Sequence, residues 1–578
     1  MEKWKIGWGV SNLCNMRCGF CYSKKTRQEP GYRENIQEGL RFILRNQERI
    51  DSINFGTGEP SLVPELFDLC NTIRREAPHI SIGITTNGTL ADAVKDPDHM
   101  DAFIRCIDDV DVSLDYGTAE LQDRSRNYSG AFNMAVRTLA LCREHGKNAS
   151  IVNALHKYNG TISNMDALMR IARIYGASFR INIYRPTTDF DYVISYDRLK
   201  EIMVHLVRTY EIESLADPLF ASAFGTSCPA GDPVARSSFR ILPNGFISPS
   251  TYLLDSEWRV CRIDELQKID DLHDYEGFQR ILEAPVPAEC EGCPVRESCR
   301  GGVIDRRWLW YHNLAQRDPY CPYRQGGYEN LALLSGAPVC SKERKSFVHD
   351  GYLPTLIFSP RINERALDRW DVIYQGDIGF FDSSRPAGIA MEVLEAMPDH
   401  AGVLDLGSGL GRNGLPFVKA GCRVTFTDSS KTACDRLWEK VWDEMPDADW
   451  RILDLDASSA LRSLEDETMD GVLAVHVISH GSPEVIKEEY VSGIMRVLRK
   501  GGLAAVTLPS LNDSRCLNSP ETEKGIKSFA FETGPEKGIV HSFYSGEAVR
   551  ALFAGFRLRR ITEVIEGGNA HWHLVVEK

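Results

Sequence analysis

The chain lacks several features that would each assign it to a class. No apolar run approaches the roughly 20 residues of a membrane span. The first ten residues, MEKWKIGWGV, have neither the apolar stretch nor the cleavage site of a secretory signal. No long block of basic residues appears, and 67 Lys and Arg stand against 81 Asp and Glu for a net charge of −14. A nucleic-acid clamp, which needs clustered cations, is thereby disfavoured. Internal repeats and low-complexity segments are missing, and 43% hydrophobic with 26% charged residues excludes disordered and collagenous chains. What remains is a soluble protein, read as cytoplasmic. In that reducing setting its 16 cysteines suit metal ligation or burial better than disulfides.

The 578 residues give a length prior of about four domains, and the patterning supports three. In a first domain of 1–205, short β-like runs alternate with helical periodicity over 1–185. The runs are Ile6–Gly9, Ile53–Phe55, Ile80–Thr86, Val110–Leu114, Ile151–Ala154 and Phe179–Tyr184; Ile36, Leu40, Ile43 and Leu44 share one helical face, as do Leu168, Ile171, Ala172 and Tyr175. Six strand–helix units predict a parallel sheet in an open or partial barrel. Residues 206–330 are loop-rich with clustered cysteines, 331–364 read as a linker, and a second βα alternation occupies 365–578.

Cys14, Cys18 and Cys21 form CxxxCxxC after the first predicted strand. At this cysteine content such a triple arises by chance on the order of 0.01 times per chain. Three thiolates can hold three irons of a 4Fe–4S cluster and leave the fourth open; a zinc site short of one ligand is the alternative. Phe20 and Tyr22 flank the third cysteine, and Gly56-Thr-Gly-Glu-Pro60 follows the second strand. Over residues 4–210 this resembles the radical SAM superfamily, with Thr57 where the commonest form has glycine. The resemblance implies that an open iron chelates S-adenosylmethionine (SAM). One electron then breaks its C–S bond, and the resulting 5′-deoxyadenosyl radical takes hydrogen from an unactivated C–H bond. It also implies that Gly58 and Glu59 hold the methionyl amino group, that Ser113 and Asp115 lie near cofactor or substrate, that Thr86-Asn87-Gly88 ends a strand in the same mouth, and that a flavodoxin- or ferredoxin-type protein supplies the electron. As strand-end residues, the polar side chains have an alternative role as caps and turns.

Cys290, Cys293, Cys299 and Cys321 form the second constellation. Their spacing alone admits structural zinc. After Pro243-Asn-Gly-Phe-Ile-Ser-Pro249, the group resembles SPASM or twitch domains, which implies one four-cysteine auxiliary 4Fe–4S cluster. Ser250 and Val303 stand where a full SPASM domain has cysteines, so a second auxiliary site is short of ligands even with Cys228. Cys70, Cys106, Cys142, Cys261, Cys422, Cys434 and Cys516 read as core thiols, and Cys340 has no assigned role.

Val403-Leu-Asp-Leu-Gly-Ser-Gly-Leu-Gly-Arg-Asn413 reads as strand, glycine turn and helix start, with Asp428 ending the next strand. Such glycines let backbone approach a nucleotide cofactor, and an acid about 20 residues on binds ribose hydroxyls; an NAD site is one outcome. The segment resembles class I SAM-dependent methyltransferases over 365–578. That implies SAM bound by Asp405, Gly407, Gly409, Gly411, Asp428 and Asp456, with Asp454 as the alternative to Asp456. Trp370–Tyr374 with Arg385-Pro386 would form a lid. His476 and His480 follow the fourth strand as candidate bases, while His571 and His573 read as a last strand.

The expectation is a bifunctional enzyme in which the radical half acts at a C–H bond of a specialised-metabolite intermediate and the other half methylates O, N or S of the same or a related compound. A ribosomal-peptide maturase is the second reading, weakened by the mere 13 residues before Cys14. A non-catalytic iron–sulfur and SAM-binding regulator is the third.

Overall fold

In the computed structural model, the described residues are 3–26, 32–224, 232–323, 341, 348, 352–362, 369–376, 385–533 and 536–578. Cys228, Cys340 and most of the stretch read as a linker lie outside them. The chain divides into two compact units, Met1–Ala366 and Leu367–Lys578.

The first unit is built on the expected strands: β1 (Trp4–Gly9), β2 (Ile50–Gly56), β3 (Ser81–Thr86), β4 (Asp109–Ser113), β5 (Asn148–Leu155) and β6 (Ser178–Ile183). They pair in chain order and in parallel. Helices such as Tyr32–Arg45, Leu66–Glu76 and Ile162–Tyr175 return the chain between them. Ile53, Phe55, Ile82, Ile84, Val110 and Val112 are wholly buried, as strands covered on both faces require.

The sheet extends beyond the six strands. On one side β8 (Ser238–Ile241) joins β1 in parallel, followed by antiparallel β9 (Phe246–Ser248) and β10 (Cys261–Arg262). The cysteine-rich stretch thus shares a sheet with the barrel and forms no compact unit of its own. On the other side, β11 (Leu356–Ile362) lies antiparallel between β6 and β7 (Tyr210–Leu215). Part of the sequence read as linker is therefore sheet. Tyr352, just before it, fills the space over Gly7, where a Cβ would fall 1.6 Å from its hydroxyl. The Tyr352 hydroxyl meets Thr251 Oγ1 at 2.6 Å and accepts from Arg240 Nη1 at 3.2 Å. Nothing in the local periodicity of 331–364 announces these distant partners.

The second unit has the strand order β14-β13-β12-β15-β16-β20-β19. Here β12 (Gly402–Leu406), β13 (Arg423–Thr427), β14 (Trp450–Leu453), β15 (Met469–Ala474) and β16 (Leu498–Pro509) are parallel, and β19 (Arg557–Glu566) and β20 (Asn569–Glu577) are antiparallel. The order reverses between β12 and β15, and such a switch point opens a crevice at the carboxyl ends of the strands. A separate hairpin, β17 (Ile526–Ala530) and β18 (Val540–Tyr544), stands beside that crevice.

Candidate functional sites

In the first unit the carboxyl ends of β1 to β6 surround a cavity of about 180 Å³ lined by Cys14, Cys18 and Cys21. Each sulfur has a polar neighbour: Met16 N and Asn87 Nδ2 donate to Cys14 at 3.4 and 3.7 Å, Arg126 Nη1 donates to Cys18 at 3.7 Å, and Ser23 Oγ is 3.3 Å from Cys21. Donors aimed at sulfur are what ligating thiolates require, so the donor set fits an iron–sulfur cluster. Burial pushes the Cys18 thiol up, and the Arg126 guanidinium opposes that shift.

The predicted residues divide by role. Ser113 and Gly58 line the cavity. Gly58 has φ +62°, and a Cβ there would meet the Leu13 carbonyl at 2.3 Å, so this position needs glycine. Thr57 also has a positive φ, +68°, which is costly for a β-branched residue. It is held by Tyr22 Oη at 3.1 Å and by Arg240. Glu59 is fully buried and faces its own scaffold. Its carboxylate accepts from Ser61 N and Oγ at 3.2 and 2.6 Å, Thr86 Oγ1 at 2.8 Å and Asn87 N at 2.6 Å. Asp115 is equally buried, pairs with Arg126 Nη2 at 2.5 Å and accepts from Ala154 N at 2.9 Å. It reaches the cysteines through Arg126, a residue the sequence did not single out.

Cys290, Cys293, Cys299 and Cys321 line one small pocket. Ser250 and Val303, the two positions without cysteine, are absorbed by a buried polar network. Ser250 Oγ donates to Asp305 Oδ2 at 3.1 Å, Arg185 pairs with Asp305 at 2.8 Å, and Val303 N donates to Asp318 at 3.0 Å. Cys70, Cys106, Cys142, Cys261, Cys422, Cys434 and Cys516 are buried.

In the second unit a cavity of about 790 Å³ occupies the switch-point crevice. Gly407, Gly409 and Gly411 have φ of +56°, +51° and +80°, and a Cβ on Gly409 would sit 2.5 Å from the Tyr374 hydroxyl. Asp428 lines the cavity and ties the turn together, accepting from Gly409 N at 2.8 Å and Ser430 N at 2.9 Å. Asp371 accepts from Ser430 Oγ and Thr432 N, both at 2.9 Å, which seats the helix Arg369–Gln375 and its Trp370 and Tyr374 on the cavity wall. Asp405 does not face the cavity; it lies under the turn, and burial pushes it up to about 7. Asp456 lines the cavity while capping the helix Ala457–Ser463 through Ser459. Asp454 instead lies 3.8 Å from Lys431, away from the cavity lining.

The opposite end of this cavity is rich in imidazole. His476 and His480 both line it, as do His571 and His573 from β20. The His476 ring centroid is 4.8 Å from that of His571. Burial pulls His476 down to about 3 and His480 and His571 to about 4, so these rings are neutral at pH 7. The sequence reading missed Glu536, His541 and Arg515, which share this wall. Their signal was not local, since a bridge between His480 and His541 brings the hairpin bearing Glu536 and His541 to this wall, and Arg515 comes from the short helix Ser514–Cys516.

Each unit matches a known protein family. Residues 8–170 match the Radical SAM superfamily, and residues 403–502 match a Methyltransferase domain. Mycofactocin maturase MftC of Mycobacterium ulcerans is 26% identical over 371 residues, covering 59% of this chain and 90% of that protein. The crystal structure of Streptococcus suis SuiB bound to S-adenosylmethionine is 16% identical with a TM-score of 0.44, covering 55% of this chain and 77% of that one. The Burkholderia thailandensis 1,6-didemethyltoxoflavin-N1-methyltransferase is 18% identical with a TM-score of 0.29, covering 36% of this chain and 86% of that one. No helix among the described residues is long and apolar enough to cross a membrane. With thiols at the mouth of one sheet and a glycine turn at the mouth of the other, the chain is an enzyme that carries a radical SAM domain followed by a Rossmann-like methyltransferase domain.

Proposed function

We propose that this enzyme uses SAM twice, in two chemically different sites. The carrying observation is the pair of cavities, each at the carboxyl ends of parallel strands in its own unit, one ringed by thiols and the other by a glycine turn with Asp428. In the first site, Cys14, Cys18 and Cys21 hold a 4Fe–4S cluster, which when reduced supplies the electron that cleaves SAM to a 5′-deoxyadenosyl radical. Arg126 keeps positive charge beside the Cys18 thiolate, Asp115 fixes Arg126, and Glu59 braces the loop that carries Gly58. Cys290, Cys293, Cys299 and Cys321 hold an auxiliary 4Fe–4S cluster, and the Ser250–Asp305 network takes the place of a second one. In the second site Gly407, Gly409, Asp428 and Asp456 hold SAM for polar methylation of O, N or S. The radical substrate is a specialised-metabolite intermediate, and a flavodoxin- or ferredoxin-type protein reduces the first cluster.

A second reading makes that substrate a ribosomal peptide, and the similarity to a maturase over 90% of its length favours it. Anaerobic reconstitution tests the metal assignment: about eight irons per chain are expected from two four-iron clusters. Stoichiometric zinc retained by the Cys290 group would overturn the auxiliary cluster. Incubating the reconstituted enzyme with an extract of its producing cells or with candidate precursor peptides, and tracing substrate-derived deuterium into 5′-deoxyadenosine, separates the two substrate readings.

A further inference from the structure

The imidazole-rich wall of the second cavity contains one group of side chains that methyl transfer from SAM does not itself require. His480 follows β15, His541 is on β18, and Glu536 lies in the turn between β17 and β18. Their ligand atoms all fall within 4.8 Å of one another. His480 Nε2 is 3.8 Å from Glu536 Oε1, and His541 Nε2 is 3.7 Å from Glu536 Oε2. Both gaps are too long for hydrogen bonds. They are the spacing of atoms arranged around a common centre, since two ligands each about 2.1 Å from one ion lie roughly 3 to 4 Å apart. His541 is 3% exposed, and its Nε2 has no hydrogen-bond partner, which is a costly state for a buried polar atom.

The arrangement is rigidly built. An isolated antiparallel bridge joins His480 to His541, flanked by hydrogen bonds from Gly481 N to Val540 O at 3.0 Å and from Ser542 N to Ser479 O at 3.2 Å. Phe531 stacks on the His541 ring at 4.2 Å, and Trp370 packs on the His480 ring at 5.1 Å. Arg515 also faces this wall, but its charge is balanced by a two-point pair with Asp513, with both N–O distances 2.8 Å.

We propose that His480, Glu536 and His541 bind one divalent transition-metal ion. Two imidazoles and one carboxylate leave coordination positions open, the arrangement associated with substrate-binding iron(II) and related ions. The open side faces the cavity shared with Asp428, so the class of ligand taken there is an oxygen-bearing methyl acceptor. The ion's role rests on the methyltransferase reading, but its binding does not. An acceptor hydroxyl on the ion gives up its proton to solvent. The oxygen lone pair then forms the bond to the methyl carbon of SAM while the C–S bond pair returns to sulfur. The products are methylated acceptor, S-adenosylhomocysteine and one proton.

The test is a manganese(II) titration of the full chain, with its clusters reconstituted and oxidised, followed by the six-line electron paramagnetic resonance signal of free Mn²⁺. One Mn²⁺ per chain is expected to bind, with affinity falling at least roughly tenfold in Glu536→Gln and in His541→Gln. Retention of the second of two SAM equivalents per chain in equilibrium dialysis reports whether the second unit remains folded in each variant, and His480→Gln provides an independent ligand deletion. Equal Mn²⁺ binding by wild type and folded variants, or no stoichiometric binding by wild type, overturns the site. Mn²⁺ binding that depends on these three residues, in a chain that methylates no oxygen acceptor, upholds the site and instead refutes the role assigned to the ion.

Discussion

The two mouths of this enzyme use the same structural device, the carboxyl edge of a parallel sheet, to build different electrostatic surroundings. Around the N-terminal cavity charges are buried in pairs: Arg126 with Asp115, Arg180 with Asp111 and Arg185 with Asp305. Around the C-terminal cavity, burial leaves one wall of neutral imidazoles, while charged side chains such as Asp428, Asp456 and Arg515 line the rest. A site that stabilises an anionic cluster needs fixed cations close to sulfur. A site that moves a methyl cation equivalent from a sulfonium to a lone pair gains from holding the acceptor close to the methyl carbon.

Breaking the comparison most severely means removing one side of it. Replacing Cys14, Cys18 and Cys21 by Ala should eliminate 5′-deoxyadenosine and about half of roughly eight irons, as iron analysis and chromatography will read, while SAM binding by the second unit persists.

A sharper version leaves the cysteines in place. Arg126→Gln strands the Asp115 carboxylate in the interior and should destabilise the first unit by roughly 3–5 kcal/mol in denaturant titration. Adding Asp115→Asn should recover much of that stability but not the rate of deoxyadenosine formation. Recovery of both would reduce Arg126 to a structural residue.

On the other side, Asp428→Ala should weaken SAM binding at the second site by roughly 1.5–3 kcal/mol, or about ten- to a hundred-fold, in calorimetry. Deoxyadenosine yield should not change. Because Asp428 also ties Gly409 N and Ser430 N, Asp428→Asn should lose less than Ala.

The last comparison concerns pH. Asp405 is pushed up to about 7 in the fold, so the folded chain keeps a proton from about pH 4 to 7 where the unfolded chain has lost it. The stability contributed by this group therefore falls as pH rises through that window. Asp405→Asn should raise the thermal midpoint of the second unit more at pH 8 than at pH 5, and an equal shift at both would contradict the burial argument.

Much of this was legible in the sequence because the information was local. The cysteine triple, Gly58, the glycine turn and Asp428 sit at strand ends within short motifs, and the six parallel strands β1 to β6 were visible as β-branched and aromatic runs. The six predicted runs and β1 to β6 agree to within three residues at each end, the largest differences being at Ile53 and Ile151. Roles assigned by motif alone were less secure. Glu59, Asp115 and Asp405 lie at the expected positions, yet their carboxyl groups face protein scaffold. Whether a strand-end acid faces cofactor or its own loop depends on contacts such as Thr86 and Arg126, from other strands and helices. Residues joined only by long-range register were not legible at all. Tyr352 over Gly7 and His541 beside His480 are products of pairings that no periodicity reports.

The central claim is that one chain breaks two different bonds of SAM in two independent sites. It is tested most directly by supplying methyl-labelled SAM with the already oxidised intermediate as acceptor, with and without dithionite, and following labelled product and 5′-deoxyadenosine by mass spectrometry. Labelled product in both conditions, with deoxyadenosine only under reduction, is the predicted result. Label entering product only under reducing conditions would contradict the account.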